Sequence, residues 1–378
     1  MKTKVLKSIS YFIFPLFVLL FFSINNAFSE TNDAGTQPNK KEKFNAGKMI
    51  IEHVVDNHEW HIAEVGETVI YIPLPVILID NGKLVVFSSS RFHHGEESYN
   101  GYKLDAEGKI DKGKYSGKIV KLKEGTESEV ASVPLDFSIT KNVLSIFISC
   151  LLLYLIFISI ARRYKKRGLV PRGFLQSSLE FILLFIRDEV ARPIIGEKKY
   201  EKYLPFLLTV FFFIFFTNLL GLIPFMPGGA NVTGNIAVTM VLAIFTFVIT
   251  TFSAKRSYWK HIVNTPGVPW WLKLPVPLMP IVEALGVFTK PFVLAVRLFA
   301  NITAGHIIIL GFMALIFIFG QFSVGAGYGI SVVSVIFGVF MSLIELLIAF
   351  IQALIFTLLS ALYFSMAIEE HHEEEHVH

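Results

Sequence analysis

From Ile281 to Ile318 the chain is apolar for almost twice the length a bilayer requires, yet it carries Glu283, Lys290, Arg297 and His306. About 20 apolar residues suffice to cross the hydrocarbon layer. Inside lipid every backbone polar group must be satisfied within the segment, so such a run folds as a helix. Its charges then constrain what the helix is for. A guanidinium stays ionised at any physiological pH, and at a bilayer centre it costs roughly 2.5–3.5 kcal/mol on insertion scales. Arg297 therefore holds a partner or does work on a charge that comes to it.

Further runs of this kind are Asn142 to Ala161, Leu204 to Pro224, Ile236 to Ser253 and Ile330 to Ile368. The chain is 53% hydrophobic and 17% charged, against about 25% charged in soluble domains. These features predict an all-α polytopic membrane protein of about five membrane helices. The last two exceed a perpendicular span and are expected to run tilted, as a hairpin turning at Gly320 to Gly329. The net charge of +4 is gathered in short loops and speaks to orientation, not to nucleic acid. A lone cysteine, Cys150, excludes an internal disulfide and a zinc-finger pattern.

Residues 1–29 combine a basic start, a short apolar core and the small residues Ala27 and Ser29, as in a signal peptide. Residues 30–137 follow as an extracytoplasmic domain. Its start, Glu30 to Lys43, has a composition that disfavours folding. Thr68 to Ile79 and Lys83 to Ser88 flank Asp80-Asn81-Gly82, a hairpin signal. Pro73 and Pro75 suggest that the first run lies on a sheet edge. His53, His58, Glu59 and His61 fit no strong metal pattern, and no metal or cofactor is expected.

The membrane domain is taken as 138–370. Its first helix stops at Arg162, Arg163, Lys165, Lys166 and Arg167, which sets that end in the cytoplasm. Leu175 to Ile194 mixes apolar residues with Glu180, Arg187, Asp188, Glu189 and Arg192, an amphipathic helix expected on the cytoplasmic face. Trp259, Trp270, Trp271 and the prolines from Pro266 to Pro280 read as an interfacial connector. The sequons at Asn231 and Asn301 are set aside, because the second lies in an apolar helix. The tail 371–378, acidic and His-rich, is expected in the cytoplasm as a solvated end.

At 100° per residue Glu283, Lys290 and Arg297 share one helix face, with Asn301 one turn further on. His306 points to the opposite side. Glu345 and Gln352, seven apart on the last helix, again share a face. Ala295, Ala300, Ala304 and Gly305 thin the helix around Arg297, letting another backbone approach closely. His306 and Glu345 form a titratable pair suited to a proton path, since imidazole changes charge near neutrality and a buried carboxyl can be raised towards it.

Three motifs carry a family resemblance: RLFANITAGH from Arg297 to His306, TNLLGLIP from Thr217 to Pro224, and IQALIF from Ile351 to Phe356 with YFSMA from Tyr363 to Ala367. Over about residues 142 to 370 the chain resembles the a subunit of F-type ATP synthases. The resemblance implies a bacterial inner-membrane protein that is not itself an enzyme. Its partners would be the rotating c-ring, the b-subunit stalk, the remaining subunits, protons and the bilayer. Arg297 would separate two half-channels, with Asn301 lining them. Glu283 would belong to the cytoplasmic outlet, and His306 and Glu345 to the outer inlet with acid and imidazole exchanged relative to many members. Gln352 would face the arginine, and Asn235 would fall near the inlet's polar cluster by a looser match. A proton-coupled secondary transporter is the alternative, though no inverted repeat is visible. A membrane scaffold would not need these charges. The chain has no phosphate-binding Gly-Lys-Ser/Thr loop, so ATP chemistry would lie in other chains.

Overall fold

The computed structural model describes residues 44–369 except 66–67, 106–109, 111–113, 116, 124, 127–128, 168–172, 224–227 and 264–277. The expected signal peptide, the stretch 30–43, Trp270, Trp271 and the tail 371–378 lie outside the described residues.

A short helix α1 (Ala46–Val54) precedes nine strands: β1 (Glu59–Val65), β2 (Thr68–Pro73), β3 (Pro75–Asp80), β4 (Lys83–Ser88), β5 (Ser98–Tyr99), β6 (Tyr102–Leu104), β7 (Ile119–Leu122), β8 (Val130–Ser132) and β9 (Leu135–Asp136). They make an antiparallel pair β1-β2, a three-stranded sheet β4-β3-β9 and a four-stranded meander β5-β6-β7-β8. The β3–β4 turn has positive φ at Asn81 and Gly82, the two-residue turn whose twist suits a hairpin. Alternate residues of β3, Val76 and Leu78, bury against Phe92, Tyr102, Leu104 and Ile119.

One expectation needs correction here. The run from Thr68 to Ile79 is two strands, not one, and its second half is a central strand rather than an edge. Pro75 opens β3, and its missing N–H falls at the strand's first position, where the ladder tolerates proline. The break at Leu74 lets β2 pair with β1 while β3 lies between β4 and β9.

Among the described residues eight α-helices follow: α2 (Lys141–Arg167), α3 (Phe174–Phe185), α4 (Arg192–Ile195), α5 (Tyr200–Gly221), α6 (Ile236–Ser253), α7 (Arg256–Val263), α8 (Leu278–Gly320) and α9 (Val324–Ile368). Five of them, α2, α5, α6, α8 and α9, are long and apolar enough to cross a membrane. A π-helical turn at Ile186–Ala191 joins α3 to α4 in one continuous path. The chain is thus a polytopic helical membrane protein with a small β-rich N-terminal region.

Helix α5 is apolar on all sides, as befits a helix enclosed by others. Its Val210, Phe211, Phe212 and Ile214 share one core with Leu294, Leu298 and Ile302 of α8, Ala353 and Phe356 of α9, and Leu179 and Ile186 from the α3 path. Helices α8 and α9 hold 43 and 45 residues, about 65 Å each at 1.5 Å per residue. That length exceeds the ~30 Å hydrocarbon layer and makes them an inclined, overlong hairpin. Its turn is shorter than expected, with helix resuming at Val324 under the Ser323 N-cap. A Cβ on Gly327 would stand 3.0 Å from the Gly320 backbone. Glycine lets the two helices close there, where it otherwise reads as a loop residue.

Candidate functional site

The α8 helix is divided into two faces. Leu294, Leu298 and Ile302, each four residues apart, are buried in the core shared with α5 and α9, and His306 continues that row. Arg297, Ala300, Asn301 and Ala304 stand on the outer side and are exposed. Arg297, close to the helix midpoint, makes no hydrogen bond or ion pair among the described residues, although Tyr363 lies within reach of its charge. The arginine does not pin two helices through a carboxylate. Gln352 is buried on α9, and no hydrogen bond joins it to Arg297 among the described residues. Of the small residues expected to open this face, Ala300 and Ala304 do so. Ala295 and Gly305 are buried, because the helix rotates 100° per residue.

Gly305 has a different task. A Cβ there would meet Glu345 Oε1 at 2.9 Å and Cδ at 3.0 Å. The missing side chain is the space into which the Glu345 carboxyl folds. Glu345 is 3% exposed, and His306 Nδ1 lies 2.9 Å from its Oε1. The ring N–H is not aimed along that line, and neither carboxyl oxygen has a hydrogen-bond donor among the described residues. A carboxylate left so would cost several kcal/mol of desolvation. The imidazole nitrogen is the polar atom the structure brings to hydrogen-bond distance of that carboxyl, so a small turn of the ring would satisfy it.

Polar groups surround the other side of the imidazole. A Cβ on Gly221 would lie 3.5 Å from His306 Nε2 and 3.2 Å from the Ala230 carbonyl, so the end of α5 and the segment before α6 meet at the histidine. One turn back on α5, buried Asn218 accepts a short hydrogen bond from Thr233 Oγ1. The side-chain nitrogens of Asn218 and Asn231 are buried without acceptors among the described residues, and Thr303 Oγ1 reaches the Gly234 carbonyl at 3.5 Å. Asn235 is half-buried and caps α6, accepting from the Ala237 N–H at 3.0 Å. Sequence reasoning named Asn235 but missed Asn218, Asn231 and Thr233. An asparagine inside the apolar run of α5 was the available signal for Asn218, while Asn231 and Thr233 were read only as a sequon.

Towards the other end of α8, Glu283 and Lys290 are half-buried. Lys290, Tyr258, Tyr363, Thr250 and Thr251 border a cavity of about 20 Å³ with Phe247, Val287, Pro291 and Met366, room for roughly one water. Tyr258, on the short helix α7, has its hydroxyl pushed above its ordinary range by burial and then by the charge of Glu283.

A family model described as ATP synthase A chain matches residues 143–365. The chain belongs to that family. It is 46% identical over 250 residues to the ATP synthase subunit a of Myxococcus xanthus, covering 65% of this chain and 78% of that one. To the ATP synthase subunit a of Chloroherpeton thalassium it is 44% identical over 253 residues, 64% and 71% of the two chains. The protein is accordingly a multi-pass membrane component of an ATP synthase, concerned with ion transport and ATP synthesis, and the rest of that complex supplies its partners. Residues 49–137 match a second family, described as a domain of unknown function (DUF8433).

Proposed function

We infer that the chain is the non-catalytic stator of a proton-driven rotor, offering two offset half-channels to a ring of c subunits. The observation that carries this reading is the exposed Arg297, unpaired among the described residues, at the middle of a helix long and apolar enough to cross a membrane, beside Ala300 and Ala304. A charge left open in that position calls for a carboxylate that arrives on another chain and leaves again. Protons enter past the Asn218, Asn231 and Thr233 cluster to His306 and Glu345, and neutralise that carboxyl. In neutral form it faces lipid cheaply. After nearly a full turn it meets the outlet near Glu283, Lys290 and Tyr258, and releases its proton there.

Arg297 favours the ionised form by attraction and repels a proton that would otherwise leak between the half-channels. Asn301 lines the same open face, Gln352 backs it from α9, and Asn235 shapes the inlet by capping α6. Each unit charge moved through 100 mV supplies about 2.3 kcal/mol, which rotation carries to catalytic partner chains. The basic flank after α2 puts that end in the cytoplasm. The hairpin turn and residues 30–137 then lie outside, and the C-terminus lies inside.

The test is ATP-driven pumping in inverted vesicles carrying Arg297→Ala, followed by passive leak after the soluble head is stripped. Abolished pumping in an assembled complex, with raised leak, is expected. Normal pumping would overturn the assignment of Arg297 and of the two half-channels.

A further inference from the structure

The β4-β3-β9 sheet has a second face that the protein leaves uncovered. Cross-strand partners Ile77↔Val86 and Ile79↔Leu84 join β3 to β4, and Ile79↔Leu135 joins β3 to β9. Directly opposed residues share a face, and alternation puts Val76 and Leu78 on the buried one. The outer face is therefore an apolar strip in which Leu84, Val86, Leu135 and Phe137 are 67%, 59%, 64% and 61% exposed. A contiguous patch of this kind marks a contact with protein or membrane.

The chain ties this strip to the start of α2. Phe137 N–H donates to the Ile77 carbonyl, Ile139 N–H to that of Pro75, and Lys141 N–H to that of Asn57. Asp56 accepts from Thr140 Oγ1 at 2.8 Å and from the Asn142 N–H at 3.0 Å. The path from β9 into α2 is thus bonded to the β-rich region at every other residue. The span within α2 is 26 residues long, about 39 Å at 1.5 Å each. It reaches through the ~30 Å hydrocarbon layer well into both headgroup zones. Lys141 therefore starts at headgroup level, and Phe137, four residues earlier, lies within about 14 Å of it. Exposed Phe147, Leu151, Tyr154 and Leu155 continue an apolar surface down α2. On the same side of the membrane, α1 packs on the end of α8, with Phe44 and Phe317 ring centroids 5.2 Å apart.

We propose that the outer face of β4-β3-β9 rests on the bilayer, with Leu84, Val86, Leu135 and Phe137 inserted among lipid headgroups and upper acyl chains. The lipid-facing surface of α2 then runs without a break onto the sheet. This contact does not depend on the roles of Arg297, His306 or Glu345.

The test uses the assembled complex in vesicles of phosphatidylcholine and phosphatidylglycerol, in a Cys150→Ser background. An environment-sensitive fluorophore is attached through Leu84→Cys or Phe137→Cys, with Glu129→Cys as an exposed control outside this sheet. Lipids carrying a nitroxide just below the headgroup should remove most emission at the first two sites and little at Glu129→Cys. Emission typical of a dry site without lipid quenching would mean that another subunit or a second copy covers the strip, and would overturn the proposal. Water-like emission at both sites would overturn it equally. Pumping by the same vesicles reports separately on the half-channel reading.

Discussion

His306 and Arg297 stand nine residues apart on one helix and live in opposite circumstances. His306 faces inwards, with Glu345 at 2.9 Å and the end of α5 on its other side. Arg297 faces outwards and, among the described residues, has no bonded partner. One polar site is closed within the chain, and the other, under the proposed function, is completed by a carboxylate on another chain. The contrast teaches that burial and function are separable here. The closed site can be tuned by neighbouring side chains, whereas on the proposed reading the open site is tuned by what passes it.

The largest way to sharpen that contrast is Arg297→Lys. An ammonium keeps the charge but loses the planar fork and its bidentate geometry. If the open site works by geometry as well as charge, pumping falls by about tenfold or more, equivalent to ~1.4 kcal/mol of lost preference. Unchanged pumping would reduce Arg297 to a point charge. Next comes the closed pair. Glu345→Gln and His306→Ala should each remove most transport, while the exchange His306→Glu with Glu345→His should retain more than either single change. Equal loss in all three would break the idea of a relay.

Gly305→Ala is expected to act less severely. A Cβ at 2.9 Å from Glu345 Oε1 overpacks the contact, a change that typically costs about 1–3 kcal/mol. Pumping should drop partially and recover when Glu345→Asp shortens the acid. Failure of that rescue would mean Gly305 serves the helix rather than the carboxyl.

The smallest effect lies outside the membrane. Burial alone would push the Asp136 carboxyl up. Hydrogen bonds from His58 at 2.8 Å and from Ser138 outweigh it and hold the pKa below the usual carboxylate range. An acid held low contributes stability above its unfolded pKa, about 3.9, and loses it as pH falls through the lower folded value. The protection of β9 amides against hydrogen exchange, taken relative to free-peptide rates at the same pH, should therefore fall only below about pH 4, and Asp136→Asn should flatten that profile.

Much of this was legible in the sequence because lipid enforces simple rules. Ile236 to Ser253 is a helix with the bounds its apolar run implies, and the phase of Arg297 against His306 follows from 100° per residue. What stayed hidden depended on neighbours distant in sequence. Nothing near Gly305 announces that a carboxyl 40 residues later occupies its missing side chain. Thr233 and Asn218 form one contact across the segment between two helices, invisible to periodicity. In the β-rich region Pro75 misled for a related reason. Whether a proline harms a strand depends on where the partner's ladder begins, which the partner decides.

The bonded path between β9 and α2 also bears on where this protein could be cut. One family match ends at residue 137 and the other begins at 143, as if two modules had been joined at a seam. Hydrogen bonds cross that seam. A chain begun at residue 143 would discard Lys141, whose Nζ reaches the His53 carbonyl at 3.2 Å, and with it the Asp56 bonds to Thr140 and Asn142. The unit that recurs as sequence and the unit that is bonded together are different lengths of the same chain.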